Sequence, residues 1–453
     1  KNESHSWIAS GTIYSSDKSM DIKLYPASKQ EAEIPLLKQK WKLTLAFDTL
    51  QMKLAEVNYE NNELLLKGSM GGQNLRINQW RISPNKVTFK KQNIDFLLRV
   101  GQNYIALDSS TTVTFNKIVY HPFIKLQLYP SRQFQLDAVM PECNSSDFFE
   151  SLPEGLFENV EGLKASGTMH YRLHFFIDTK HPDDLQFSSY LGKNKFKIVA
   201  FGKTALTKIN GEFQYTAYEK DRAVRTFMLG PSNPYYTPIS SISPILKAAL
   251  LTSEDGNFYS HMGFNEDAFR KSIATNFKEK RFVRGGSTIS MQLVKNVFLT
   301  RNKTIARKIE EALLVWLIEN NRLSSKERMY EVYLNLIEWG PNVYGIGEAS
   351  RFYFEKSPAD LSLAESIFLA MIVPRPKGFK YNFGTDGKLK EHTASYFTLV
   401  ANHMVKKGVL TEEEKVALLP NVELKGLAKS MVQVADTTAN PEELQEDEFT
   451  IDN

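Results

Sequence analysis

Lys303-Thr-Ile-Ala-Arg307-Lys308-Ile-Glu310-Glu311-Ala-Leu-Leu-Val-Trp-Leu-Ile318 is the stretch that decides how the second half of this chain folds. Arg307 and Glu311 stand one turn apart on a helix and share a face with Leu314, Val315 and Ile318, so a stripe that begins charged turns apolar within a turn. From Ala312 to Ile318 the helix is apolar all round, which marks a central, buried element. Glu311 is then expected near the edge of a cleft, where partial desolvation raises its pKa and the guanidinium lowers it. A surface i, i+4 ion pair is the plainer alternative.

Outward from this helix the same period recurs. Upstream, Ser243-Pro244 has the N-cap and first-turn signature of a helix whose apolar positions continue through Leu251. Further helices are expected near Glu266 to Lys278, Ser287 to Phe298, Ser324 to Ile337, Leu361 to Ile372 and Lys388 to Lys407. The helical part is roughly 170 to 190 residues, an ordinary domain size. Gly230 to Pro238, with three prolines among small and aromatic residues, reads as a linker or closing loop. Before it, from about Ile34 to Lys208, run short alternating segments rich in β-branched and aromatic residues, such as Trp41 to Phe47, Lys86 to Lys90, Thr112 to Phe115 and Thr168 to Phe176. From Asp436 onward the chain is acidic and poor in apolar residues. The expectation is therefore an α+β multidomain protein: a β-rich domain over 1–230, a mainly α-helical domain over 231–420 and an acidic, disordered tail over 421–453.

Bulk properties exclude several classes. The chain has 453 residues, and its 56 Lys and Arg against 52 Asp and Glu give a net charge of +4, too small for a general nucleic-acid binder. Its one cysteine, Cys143, rules out an intramolecular disulfide framework. No run of eighteen apolar residues occurs, so no segment can span a bilayer as a helix. The sequence opens at Lys1 on polar, Ser-rich chain, and an anchoring segment is expected upstream of residue 1.

Four segments carry chemistry. The first, Glu254-Asp-Gly-Asn-Phe258-Tyr-Ser-His261-Met-Gly263, falls where the helix from Pro244 should stop at Gly256. Carboxylates at a helix C-terminus face the negative end of the dipole, which raises their pKa and suits a general base; an exposed acidic helix end is the alternative, and His261 reads as a structural hydrogen-bonding histidine. In the second, Gly285-Gly286 followed by Ser287 as N-cap leaves free N–H groups at a helix start, a site for an anion. Thr288, Gln292 and Lys295 then line one face opposite Ile289, Leu293 and Val297. The third is the Lys303 to Ile318 helix. The fourth, Tyr333-Leu-Asn335 followed by Trp339-Gly340-Pro-Asn-Val-Tyr344-Gly345-Ile-Gly347, breaks into a tight loop whose aromatic residues suit sugar stacking. Ser15-Ser-Asp-Lys18 has the spacing of a penicillin-binding nucleophile, but no Lys-Thr-Gly partner exists, so it is read as chance.

Taken in order, these segments resemble the peptidoglycan glycosyltransferases, the family that also supplies the catalytic N-terminal domain of bifunctional penicillin-binding proteins. The resemblance spans about Ser243 to Asn382. It rests on Glu254-Asp-x-x-Phe258-x-x-His261-x-Gly263, Gly285-Gly-Ser287-Thr288-Ile-x-x-Gln292-Leu-x-Lys295-Asn296, Arg307-Lys308-x-x-Glu311, Tyr333-Leu-Asn335 with its glycine loop, and Leu361-x-Leu-Ala-Glu365 through Pro374. Met291, where the family usually has glutamine, and Tyr381-Asn-Phe383, without its usual proline, depart from the pattern. The stretch Leu152 to Leu173 resembles the repetitive β-sheets of AsmA-like envelope proteins.

The first resemblance implies a lysozyme-related helical fold with Glu254 as general base and Glu311 as second acidic residue. Lys295, Lys303, Arg307 and Lys308 would supply positive charge for diphosphates. Asp255, Phe258, His261, Ser287, Thr288, Gln292, Asn296, Asn335 and Gly340 would complete the substrate site. Substrates would be lipid II and the growing glycan strand, joined by an inverting displacement, with a divalent cation (Mg or Mn) as the one cofactor and no protein-held metal site. The basic, Phe-containing stretch Phe277 to Val283 would meet the membrane surface. The catalytic part would lie at the cell membrane on its periplasmic or extracellular side, and the N-terminal domain would meet cell-wall synthesis proteins. No transpeptidase activity is expected. A glycan-cleaving enzyme on a similar fold needs no diphosphate-binding cations, and a non-catalytic scaffold needs neither glutamate; the residues present favour synthesis over both.

Overall fold

The computed structural model describes residues 7–27, 35–219, 222–283, 285–384 and 386–434. The chain divides into two compact units, and the division is not a single cut. The first comprises Lys1–Ala205, Glu266–Gly286 and Asn302–Ala312; the second comprises Leu206–Asn265, Ser287–Arg301 and Leu313–Asn453. The expected boundary near Gly230 instead falls at the end of a hairpin of the second unit, Phe213–Glu219 paired with Arg222–Leu229. A composition shift marks where strands give way to helices, and here that is not where the units divide.

The first unit is built on one antiparallel sheet. Its strands are β1 (Trp7–Tyr14), β2 (Ser19–Pro26), β3 (Thr44–Ala46), β4 (Thr49–Glu60), β5 (Glu63–Asn78), β6 (Val87–Val100), β7 (Tyr104–Leu107), β8 (Thr112–Phe115), β9 (Ile118–Gln127), β10 (Gln133–Asn144), β11 (Lys164–Asp178) and β12 (His181–Ala200). They follow the order β1-β2-β4-β5-β6-β7-β9-β10-β11-β12, with β3 on β5 and β8 bridging β6 and β9. The register explains the alternation in the sequence. Ile22 faces Met52, Met52 faces Met70 and Met70 faces Ile94, while Asp21 faces Lys53 and Ser69 faces Asp95, so apolar and polar residues sort onto opposite faces across four strands. Ser15 to Lys18 form the exposed turn between β1 and β2.

The helices, in chain order, are α1 (Pro35–Trp41), α2 (Ser145–Ser151), α3 (Pro244–Glu254), α4 (Glu266–Glu279), α5 (Ile289–Phe298), α6 (Ile305–Asn320), α7 (Lys326–Leu336), α8 (Ile346–Phe354), α9 (Leu363–Ile372), α10 (His392–Lys406), α11 (Glu412–Ala417) and α12 (Gly426–Val434). Two of them correct the all-strand reading of the N-terminal half: Trp41 closes α1 rather than opening a strand, and α2 packs on β11. Helix α4, within the first unit, lies on β12, with Phe187 and Phe269 at 4.6 Å between ring centroids.

In the second unit α3 packs on α9 and α10, and α5 on α7. The run Leu314 to Ile318 of α6 is buried, as its apolar circumference requires. A reciprocal capping box starts α9: Glu365 N–H donates to Ser362 Oγ at 3.3 Å and Ser362 N–H to Glu365 Oε2 at 2.8 Å.

The segment after Asn335 is not a loop but a short hairpin, Glu338–Gly340 with Val343–Tyr344, followed by α8. Gly345 sits at φ 79° with the Asn335 carbonyl oxygen 2.7 Å from where a Cβ would stand, and Gly347 lies against the Tyr235 carbonyl. These glycines permit close approach inside a fold that continues; they do not end it.

The tail is likewise shorter than expected. Residues 421–434 carry α12, which packs on α8 with Val422, Leu424 and Ala428 buried. Three buried apolar residues order a stretch that is itself not acidic; the acidic composition begins only at Asp436. The acidic remainder, from residue 435, lies outside the described residues.

Candidate active site

Helix α3 ends at Glu254, not Gly256, because Asp255 leaves helical geometry at φ −158°. The Asp255 carboxylate is buried, at 5% exposure, and accepts the Ile289 N–H at 3.0 Å, thereby satisfying an orphan donor at the start of α5. It also takes His261 Nε2, at 3.0 Å to each oxygen. Gly263 N–H donates to His261 Nδ1 at 3.0 Å, so the ring proton sits on Nε2 and points at Asp255. Asp255 and His261 form a closed structural pair that pins α3 to α5. The two adjacent carboxylates thus have different roles, which no property of their own distinguishes.

Glu254 is held by Gln292. Gln292 Nε2 donates to Glu254 Oε2 at 2.9 Å, and Tyr333 Oη donates to Gln292 Oε1 at 3.0 Å, which fixes the amide with its donor toward the carboxylate. Tyr333 is fully buried on α7. Burial pushes the Glu254 carboxyl above the ordinary glutamate value of 4.5, and the Asp255 charge adds to this, while the Gln292 hydrogen bond and the Lys295 charge pull it down. Burial, more than the helix dipole, is the cause. Tyr333 belongs to the Tyr-Leu-Asn segment but was not among the expected site residues; its signal was the one-turn spacing that places Tyr330, Tyr333 and Leu334 in the core.

The remaining expected residues divide into supports and surface groups. Thr288, rather than Ser287, caps α5: its hydroxyl accepts Met291 N–H at 3.2 Å and donates to the Gly263 carbonyl at 2.6 Å. Thr288 is therefore buried instead of continuing a polar stripe with Gln292 and Lys295, while Ser287 is exposed. Asn296 accepts Arg301 at 2.7 Å. Phe258 is fully buried under Lys326, whose Nζ stands 4.3 Å from the ring centroid, so it belongs to the core. Asn335 exchanges bonds with the Thr237 backbone at 2.8 and 2.9 Å and pins the chain that precedes α3. Gly340 is buried, with Tyr353 Oη 2.7 Å from a hypothetical Cβ.

The cationic residues of the third segment lie in the first unit, on the opening turns of α6. Glu311 is 1% exposed and accepts Lys308 Nζ at 2.6 Å and Arg307 Nη1 at 3.5 Å. It is buried, and its partner three residues earlier, Lys308, was missed because Arg307, four residues earlier, looked sufficient. Arg307 Nε is buried with no hydrogen-bond partner among the described residues, an unmet donor that an anion would satisfy. Lys303 and Lys308 are exposed. Glu310, about 100° from Glu311 around the helix, is 6% exposed and bonded to Asn159.

Among the described residues, no group of three or more His, Cys, Asp or Glu side chains is arranged to hold a metal ion. Asp255 and Glu311 are each engaged by protein donors.

Comparison with known proteins places the chain among its relatives. The family described as Transglycosylase matches residues 221–405, which hold Glu254, Gln292, Glu311 and Tyr333. A biosynthetic peptidoglycan transglycosylase of Dechloromonas aromatica is 44% identical over 152 residues, 34% of this chain and 65% of the relative. That of Chromobacterium violaceum is 46% identical over 142 residues, 31% of this chain and 61% of the relative. That of Acinetobacter baylyi is 38% identical over 152 residues, 34% of this chain and 67% of the relative. The chain thus spans less than two thirds of the length of the first two relatives, and the sheet of the first unit lies outside the family match. With both glutamates inside the matched region, the chain belongs to the transglycosylase family.

Proposed function

We propose that this protein is a monofunctional peptidoglycan glycosyltransferase, acting at the outer face of the cell membrane on lipid II and the growing glycan strand. The Tyr333–Gln292–Glu254 relay carries the reading. A desolvated carboxylate with a raised pKa and a fixed orientation is what abstraction of a hydroxyl proton requires. Glu254 takes the proton from the acceptor 4-hydroxyl as that oxygen attacks the anomeric carbon of the donor; the bond to the polyprenyl diphosphate breaks and the configuration inverts. The departing diphosphate gathers negative charge, for which the family resemblance assigns Lys295, Lys303, Arg307 and Lys308; the unmet Nε donor of Arg307 supports its part in this. Glu311 holds Arg307 and Lys308 in place. The helical unit is read as lysozyme-related, and the β-rich unit as the contact for other cell-wall synthesis proteins.

A membrane-facing position has its own support. Phe277, Phe282 and Val283 are 42%, 50% and 48% exposed beside Lys278, Lys280 and Arg281, the mixture that an anionic lipid surface takes up. Among the described residues no helix is long and apolar enough to cross a membrane.

Incubation of the full chain with labelled lipid II, followed by separation of products by size, tests the function. Polymer is expected; shortened fragments from preformed glycan would establish cleavage instead, and no change would establish a scaffold. A fluorescent β-lactam is expected to leave the chain unlabelled.

Gln292→Leu tests the relay. It removes the amide donor, worth about 1.5–3 kcal/mol to a charged acceptor, and keeps the volume. Because that bond favours the ionised form, the acid limb of kcat/KM is expected to move to higher pH in the variant. A pH–rate profile with an unmoved limb would remove Glu254 from the role of base.

A further inference from the structure

We infer that Glu310 is a positioning residue for the cation-bearing turns of α6, and that the β-rich unit supplies its partner; the inference rests on the proposed function of Arg307, Lys308 and Glu311. It begins with the backbone donors at the start of α6. An α-helix leaves its first N–H groups without intrahelical partners. Here Thr304 Oγ1 accepts Arg307 N–H at 3.2 Å, and Thr304 O accepts Lys308 N–H at 3.2 Å. The two donors between are met by chain from the β-rich unit: Ile305 N–H donates to the Arg81 carbonyl and Ala306 N–H to the Ile82 carbonyl, each at 2.9 Å. A sheet connection thereby caps the helix and fixes its position along the axis.

The second anchor fixes rotation. Glu310 Oε1 accepts the Asn159 backbone N–H at 2.7 Å and its side-chain Nδ2 at 3.1 Å. Burial raises the Glu310 carboxyl above its ordinary value, and the two Asn159 bonds pull it down. Asn159 is itself held, its Oδ1 accepting Thr204 Oγ1 at 2.8 Å. The two anchoring connections are tied to each other by Ser83 Oγ to the Gly155 carbonyl at 2.9 Å and Asn85 Nδ2 to Glu158 at 2.5 Å. Glu310 and Glu311 project about 100° apart around the helix. Holding Glu310 therefore sets the direction of Glu311, and through it of Lys308 and Arg307.

Glutamine at 310 keeps the acceptor oxygen that Asn159 uses; alanine does not. Four full-length chains are compared: wild type, Glu310→Gln, Glu310→Ala and Asn159→Ala. For each, the thermal midpoint, the kcat and KM of lipid II polymerisation, and the affinity for inorganic pyrophosphate are measured. Misplacement by about 1 Å costs up to about 10²-fold, so kcat/KM and pyrophosphate affinity are expected to fall 10- to 100-fold in Glu310→Ala and Asn159→Ala, and by less than about twofold in Glu310→Gln. A merely structural role would lower the midpoint while leaving both parameters of the folded enzyme unchanged, and that outcome overturns the inference. So does a Glu310→Gln chain as impaired as Glu310→Ala. If wild type makes no polymer, the proposed function falls and pyrophosphate affinity alone decides: loss in Glu310→Ala with retention in Glu310→Gln supports the anchor, and equal affinity in all four chains overturns it.

Discussion

Glu254→Gln is expected to reduce polymerisation of lipid II by at least about 10²- to 10⁴-fold, the usual contribution of a general base, while lipid II binding persists. The substitution keeps the side chain's shape, but Gln cannot take a proton, and its amide faces the Gln292 Nε2 donor 2.9 Å from the present oxygen. Stability should move the other way. A carboxyl whose folded pKa lies above its unfolded one contributes stability at pH below the ordinary value of 4.5 and loses that contribution as pH rises through the raised value. At neutral pH the ionised Glu254 is therefore held at a cost, so the variant should melt no lower than wild type. Glu311→Gln is the contrast. It leaves Lys308 and Arg307 around a neutral amide at a site of 1% exposure, so it should lower the melting point, weaken diphosphate binding and retain a trace of polymer. A Glu254→Gln chain that polymerises near the normal rate, measured by the same product separation, would end the catalytic assignment.

The difference between these two glutamates shows where sequence reading stops. Helices α3, α5, α6, α7 and α9 were legible because their apolar positions recur at helical spacing and their cap residues are local, as with Ser362 and Glu365. The catalytic candidates were legible as a set, since Glu254, Gln292 and Glu311 each sit in a recognisable segment. Their environments were not. Asp255 looks equivalent to Glu254 until Ile289, which lies 34 residues on, donates to it. Phe258 stands in a motif and was expected in the substrate site, yet it lies under α7, beside Tyr330 at 5.7 Å. Glu310 falls on an unassigned position of the Arg307-Lys308-x-x-Glu311 motif, while its partner Asn159 stands 151 residues earlier. In each case the deciding contact is long-range, and side-chain type and spacing encode only the local half of it. The β sheet shows the same limit: its alternation marks strands, but the order that brings Arg81, Ile82 and Asn159 to α6 is a matter of topology.

A fragment beginning near Pro231 is expected not to fold cooperatively, contrary to what the composition shift at Gly230 suggests. Removing residues 1–230 takes Arg222–Leu229 and Phe213–Glu219 from the second unit, and with them the buried Tyr215, Ala217 and Leu229. It also strips the two segments that the β-rich unit draws from later in the chain, Glu266–Gly286 and Asn302–Ala312, of the sheet they pack with. Ile305 and Ala306 lose their carbonyl acceptors, Glu310 loses both Asn159 donors, and Phe269 loses Phe187. Buried polar groups left without partners cost about 1–3 kcal/mol each, and full burial of one aromatic side chain is worth about 1.5–3 kcal/mol. A handful of such losses reaches the about 5–15 kcal/mol by which whole domains are stable. Circular dichroism of the 231–434 fragment should show helix without a sharp thermal transition, and amide exchange should be fastest at the start of α6. A fragment that melts cooperatively near the full chain's midpoint would mean that α6 supports its cationic turns alone, and that the β-rich unit is a tethered module after all.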